Sequence, residues 1–163
     1  MSLVVHVSVE HGRLPIARRR VADIARRALR AERVRHALLS IAFVSKRVIA
    51  SLNRRHLGHR GATDVISFGL SLNGETTRGE GGSAPVVGDI YIAPDVARAN
   101  ARAHGVGVRE EIARLVVHGT LHVLGYDHPV REKGGEGAGR TASRMWRRQE
   151  VLLGRALRPG REA

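Results

Sequence analysis

One segment constrains this chain more than any other: from Val108 to Val123 the residues are apolar on nearly every side of a helix. Ile112, Leu115, Val116, Gly119 and Val123 form one face, while Val117, Leu121 and Leu124 lie on another. A helix of this kind has no broad polar side for water and must be enclosed by the rest of the fold. It carries His118 and His122, with Gly125, Asp127 and His128 just beyond its end.

The remaining chain supplies the enclosing layers. Leu3, Val5, Val7 and Val9 alternate with Val4, His6 and Ser8, the period of a half-buried strand. Pro15 suits a first helical turn; Val21, Ile24, Ala25, Ala28 and Leu29 follow at helical spacing, with Arg19, Arg26, Arg27 and Arg30 expected on a solvated face. Leu39, Ile41 and Phe43 mark a second strand, after which Ser45 can cap a helix reaching towards His56. Val65–Phe68 and Val86–Ala93 read as further strands, joined as a hairpin by a Gly-rich loop over 71–85 that is expected to be mobile. Pro94 opens a short helix, and a Gly-rich connector over 133–139 leads to a last helix with Met145, Trp146, Val151, Leu152 and Leu153. The expected class is α+β: a small mixed sheet of about four strands covered by helices, its buried central helix bearing metal ligands. With 163 residues, 42% hydrophobic and 26% charged, the chain suits one domain with a real core. That domain is expected over 1–155, followed by a frayed basic tail over 156–163.

Several classes drop out. The absence of cysteine excludes a disulfide scaffold and leaves histidine and carboxylate as metal ligands. No apolar run approaches the roughly 18 residues of a membrane span. Residues 1–13 show neither a basic leader nor a continuous apolar stretch, so no secretory signal is expected and a cytoplasmic protein is the default. Lys and Arg number 28 against 15 Asp and Glu, a net charge of +13, and only Lys46 and Lys133 are lysine. An Arg bias can mirror a GC-rich genome. A surplus this large also attracts polyanions, nucleic acid first and an anionic membrane face second. One Trp, two Tyr and two Phe are too few for a base-stacking platform, so contact through phosphates is favoured.

His118, His122 and His128 stand at spacings of four and six. Residues four apart share a helix face, so His118 and His122 aim at one point. Gly125 permits a sharp exit from the helix that can bring His128 to the same place. Three neutral imidazoles leave a tetrahedral zinc one open position, the arrangement of a catalytic site. A lone histidine on an apolar helix is more often a hydrogen-bonded core residue, but here no polar partner is evident for two desolvated imidazoles. His6, His11, His36, His56, His59 and His104 show no such clustering.

The same offsets occur in the metzincin protease pattern H-E-x-x-H-x-x-G-x-x-H. Gly119 stands where that pattern places its general base, which weighs against a protease. Asp127 is a candidate base or histidine-orienting group, and equally a turn residue.

His118-Gly119-Thr120-Leu121-His122-Val123-Leu124-Gly125-Tyr126-Asp127-His128 resembles the signature H-G-x-L-H-L-x-G-Y-D-H of the YbeY family of zinc-dependent endoribonucleases. Leu52-Asn53 with Thr63-Asp64-Val65-Ile66-Ser67-Phe68 is similar to its L-N-x-x-Y-R…T-D-V-L-S-F block, and Gly88-Asp89-Ile90-Tyr91-Ile92 to its G-D-I-x-I strand. Met145, Gln149-Glu150 and Val151-Leu152-Leu153 resemble its final helix. The resemblance implies His118, His122 and His128 as ligands of one zinc ion per chain, in a cleft of a sheet covered by helices. It implies hydrolysis of single-stranded RNA in processing of the 3′ end of small-subunit ribosomal RNA, ribosome maturation and ribosome quality control. The small ribosomal subunit and ribosome-assembly proteins are the implied partners, with no membrane.

Two positions depart from the family. Its arginine thought to assist catalysis falls at Leu57 and its tyrosine at His56, which leaves Arg54, Arg55 or Arg60 as candidate cations. Its acidic stretch after the last histidine is replaced by Gly-rich, Arg-containing sequence over 131–144. The alternatives are a ribosome-associated RNA-binding protein with a structural metal and, behind it, the metzincin-like protease.

Overall fold

Val5, Leu39, Ile41, Phe43, Ile90 and Ile92 share one buried cluster, the inward side of a four-stranded sheet. The computed structural model describes residues 1–70, 85–126 and 138–158, with 138–143 as backbone alone. The loop expected over 71–85 (all but its last residue), most of the connector over 133–139, and Asp127 and His128 lie outside the described residues. The strands are β1 (Ser2–Val9), β2 (His36–Phe43), β3 (Val65–Leu70) and β4 (Val86–Ile92), in the order β1-β2-β4-β3. β1, β2 and β4 run parallel, and β3 pairs antiparallel with β4, with Val5 opposite Leu39, Leu39 opposite Gly88, and Ser67 opposite Ile90. Parallel neighbours need a crossover. Between β1 and β2 it is α1 (Arg18–Ala31), whose Val21, Ile24, Ala25 and Leu29 are buried.

The helices α3 (Pro94–His104), α4 (Val108–Val123) and α5 (Ala138–Leu157) complete the main layer. α4 has the bounds its sequence implies, and it touches α1, α3, α5, β3 and β4. Its close approach to the sheet depends on missing side chains: a Cβ on Gly119 would lie 2.8 Å from Ile90 Cγ2, and one on Gly88 2.4 Å from Val123 Cγ1. Alternation along β3 turns Ser67 and Gly69 towards α4 and Ile66 and Phe68 to the opposite face, where α2 (Lys46–Leu52) packs through Ile49. Ser45 caps α2 by accepting from the Val48 N–H at 3.2 Å. The helix then widens into a π-helical turn, Asn53–Leu57, that ends at Gly58 with φ 66°.

The expected α+β domain with a small mixed sheet is what the chain forms. Three local expectations change. Pro15 stands before α1 rather than in its first turn, because its carbonyl accepts from Arg109 Nε at 2.9 Å and Ala17 remains extended. Of the arginines expected on a solvated face, Arg19 and Arg30 are exposed, but Arg26 donates to the Leu3 carbonyl and Arg27, with the neighbouring Arg20, to that of Ala156. For the same reason the packed chain runs past 155: α5 continues to Leu157, Ala156 is 1% exposed, and Arg27 also reaches the Arg158 carbonyl. Among the described residues no helix is long and apolar enough to cross a membrane.

Candidate metal centre

Helical geometry places His118 and His122 one turn apart on α4, and their rings meet edge to face with centroids 4.6 Å apart. Their Nε2 atoms lie 3.0 Å from each other. The other nitrogen of His118, Nδ1, lies 2.7 Å from Oε1 of Gln149 on α5. An amide oxygen only accepts, so Nδ1 carries the proton and the lone pair of His118 sits on Nε2. A ligand histidine is usually held this way, its second nitrogen donating to a fixed acceptor. Gln149 is 2% exposed and so cannot exchange this bond for water. It is also the polar partner that residue spacing alone did not reveal.

Past α4 the chain turns sharply. Gly125 has φ 92°, its N–H donates to the His122 carbonyl at 2.9 Å, and the Tyr126 N–H to that of Leu121 at 3.0 Å. Tyr126 then donates its hydroxyl proton to Glu32 Oε2 at 2.7 Å, and Glu32 is also paired with Arg148 of α5. The turn that leads to Asp127 and His128 is thus fixed against α1 and α5. Among the described residues no three potential ligands converge, and the third candidate, His128, lies outside them with Asp127. The two converging imidazoles, one with its tautomer set, are a donor pair suited to a borderline-soft cation such as zinc.

A cleft of about 410 Å³ adjoins His118, bounded by Asp64, Asn100, Arg114, Trp146 and Gln149 among others. Asp64 is anchored there by the Val65 N–H at 2.9 Å and by Asn100 Nδ2 at 3.2 Å. Arg114 donates to Glu111 and Glu150 at 3.1 Å each and to Glu110 at 3.3 Å. Burial alone would lower its pKa, but the hydrogen bonds and charges of Glu150 and Glu111 outweigh that and raise it. On the opposite sheet face Tyr91 has its pKa raised by burial, then by the charges of Asp89 and Glu10.

The candidate arginines sit elsewhere. Arg55 donates to Ser51 Oγ at 2.8 Å, and Arg54 lines a separate cavity of about 680 Å³ with Arg47 and Arg60. Both belong to the π-helical turn after α2, whose His56 packs edge-on to Phe68 on the sheet face away from α4. No described contact joins them to the imidazoles. Gly119, for its part, faces Ile90 and Ser67, so a glutamate there would collide with the sheet. The protease pattern therefore fails on space as well as on sequence.

The model of the family described as endoribonuclease YbeY matches residues 6–154. The chain belongs to the YbeY family. A relative of that name from Anaeromyxobacter sp. strain Fw109-5 is 39% identical over 158 residues, covering 97% of this chain and 78% of the relative. Another from Bacillus licheniformis is 35% identical over 159 residues, covering 95% and 96%. The fold resembles the solution structure of TM1509 from Thermotoga maritima, with a TM-score of 0.58 at 21% identity, covering 94% of this chain and 89% of that one. Membership of the family makes the chain a hydrolase of the nuclease class.

Proposed function

We propose that this protein is a zinc-dependent endoribonuclease cutting single-stranded RNA, acting in the cytoplasm on ribosomal RNA during maturation and quality control of the small ribosomal subunit. The observation that carries the metal part is the 3.0 Å approach of the His118 and His122 Nε2 atoms with Gln149 fixing the first ring. His118, His122 and His128 would hold one zinc ion. Bound there, zinc supplies Lewis acidity towards a phosphoryl oxygen and brings the ionisation of water close to neutral pH.

The chain's own groups do the rest. Gln149 keeps the His118 lone pair aimed into the site through a buried hydrogen bond. Arginine side chains are to neutralise the phosphate and the charge that grows on it; Arg54, Arg55 and Arg60 are the candidates nearest in sequence to the family's catalytic arginine, and from the segment after α2 they would meet the strand beside the imidazoles rather than at them. Asp127 is the candidate proton acceptor. Ribosome-assembly proteins are the proposed protein partners.

One assay tests the reading. Purified protein loaded with zinc is incubated with single-stranded RNA and with casein, with and without chelator, beside His122→Ala. Chelator-sensitive RNA cleavage that His122→Ala abolishes is the expected result. RNA binding without cleavage would favour a structural metal, and casein cleavage a protease.

A further inference from the structure

A second concavity, about 540 Å³ in volume, is formed by the end of α1, Tyr126 and α5. Arg33, Arg144, Arg147 and Arg148 line it, and Glu32 is the only carboxylate among its described lining residues. That carboxylate already accepts from Tyr126 and pairs with Arg148. Arg148 also donates to the Ala31 carbonyl at 3.1 Å. Among the described residues no side-chain bond or ion pair engages Arg33, Arg144 or Arg147, so three guanidiniums line the hollow without a bound carboxylate. Arg33 does so from a left-handed backbone, φ 61°, at the end of α1, where glycine is the usual occupant.

The cleft beside His118 has the opposite balance. Asp64, Glu111 and Glu150 line it against Arg114, whose charge Glu111 and Glu150 already engage. The described lining of that cleft therefore offers a polyanionic strand no free cation, and the Arg-lined hollow does. Tyr126 lines the hollow and stands four residues past His122 in the chain, on the turn that leaves α4. Unpaired guanidiniums at a concave surface suit phosphate, which they bind in bidentate fashion.

We propose that this hollow seats a phosphodiester group of the RNA strand outside the bond that is cut, through Arg33, Arg144 and Arg147. The inference rests on the endoribonuclease reading and adds to it a path for the substrate. Each phosphate contact on a single strand contributes a slope of about −0.7 to log K against log salt concentration.

The test measures binding of an unstructured single-stranded oligoribonucleotide by fluorescence anisotropy across a sodium chloride series, with metal withheld so that no cutting occurs. Arg144→Ala/Arg147→Ala is expected to flatten the slope by about 0.7, the share of one phosphate. Arg144→Lys/Arg147→Lys should keep it. The double variant Arg18→Ala/Arg19→Ala removes the same charge from exposed positions of α1 and should flatten it by less than half as much. Equal slopes for the pocket and control variants would overturn the seat. So would loss of binding to vesicles of anionic phospholipid with RNA binding intact. If wild type binds and cuts RNA while the pocket variant behaves like the control, only the seat fails; if wild type shows no salt-dependent RNA binding, the endoribonuclease reading fails with it.

Discussion

Nδ1 of His118 and Oε1 of Gln149 lie 2.7 Å apart although 31 residues separate them in the chain. The bond ties α4 to α5 and holds in one tautomer the ring proposed as a metal ligand. Gln149→Leu preserves the bulk and removes the acceptor, leaving a donor of His118 without its partner. Loss of such a supporting group typically weakens metal binding by about 10- to 100-fold, the expected change in a chelator competition titration with zinc. Gln149→Glu keeps an acceptor in place and should retain the affinity. Wild-type affinity in Gln149→Leu would remove Gln149 from the site.

The approach of α4 to the sheet predicts a ranking. A Cβ at Gly88 meets Val123 Cγ1 at 2.4 Å and the Phe68 carbonyl at 2.9 Å, while one at Gly119 meets Ile90 Cγ2 at 2.8 Å. Overpacking a core costs about 1–3 kcal/mol, with Gly88→Ala expected at the upper end because backbone as well as side chain is in the way. Urea unfolding reads both variants. Adding Val123→Ala to Gly88→Ala should recover part of the loss, a non-additive result expected of residues in contact. Full additivity would mean that the two positions do not share the space.

These relationships show where sequence is legible. The alternation in β1 and the all-round apolarity of α4 reveal their elements because burial acts on a fixed local period. The His118–His122 pair is visible for the same reason, since a helix turn converts a spacing of four into proximity. Gln149 and Glu32 are not, because their partners come from packing of distant elements. The arginines of α1 misled in part: Arg19 and Arg30 are exposed as their charge suggested, but Arg27 directs its charge to carbonyls at the end of α5 and Arg26 to that of Leu3. Only the match of the final helix to a family pattern drew notice to Gln149.

Arg114 gives a stability prediction. Its side chain is 19% exposed and its partner Glu111 5%, whereas Glu110 and Glu150 are far more open and contribute less. Arg114→Leu leaves Glu111 buried without its counter-charge, a change expected to cost about 3 kcal/mol in denaturant unfolding. Replacing both members, Arg114→Leu with Glu111→Leu, should recover most of that loss. If the single variant unfolds like wild type, the pair is solvated in solution.

Leu57 tests how this chain departs from its family. It ends the π-helical turn, is 49% exposed, and precedes Gly58 in the left-handed region. A side chain so open can be changed to arginine at little cost to folding, within about 0.5 kcal/mol. If the family's cation is missing here, Leu57→Arg should add a charge-assisted contact to the phosphate. A gain of about 1.4 kcal/mol in the transition state is a tenfold rise in kcat/KM, read on a short single-stranded RNA with zinc present. Leu57→Gln controls for polarity without charge and should leave the rate unchanged. An unchanged rate in Leu57→Arg would mean that a cation already present in the chain serves the reaction, and single alanine variants at Arg54, Arg55 and Arg60 would then show which.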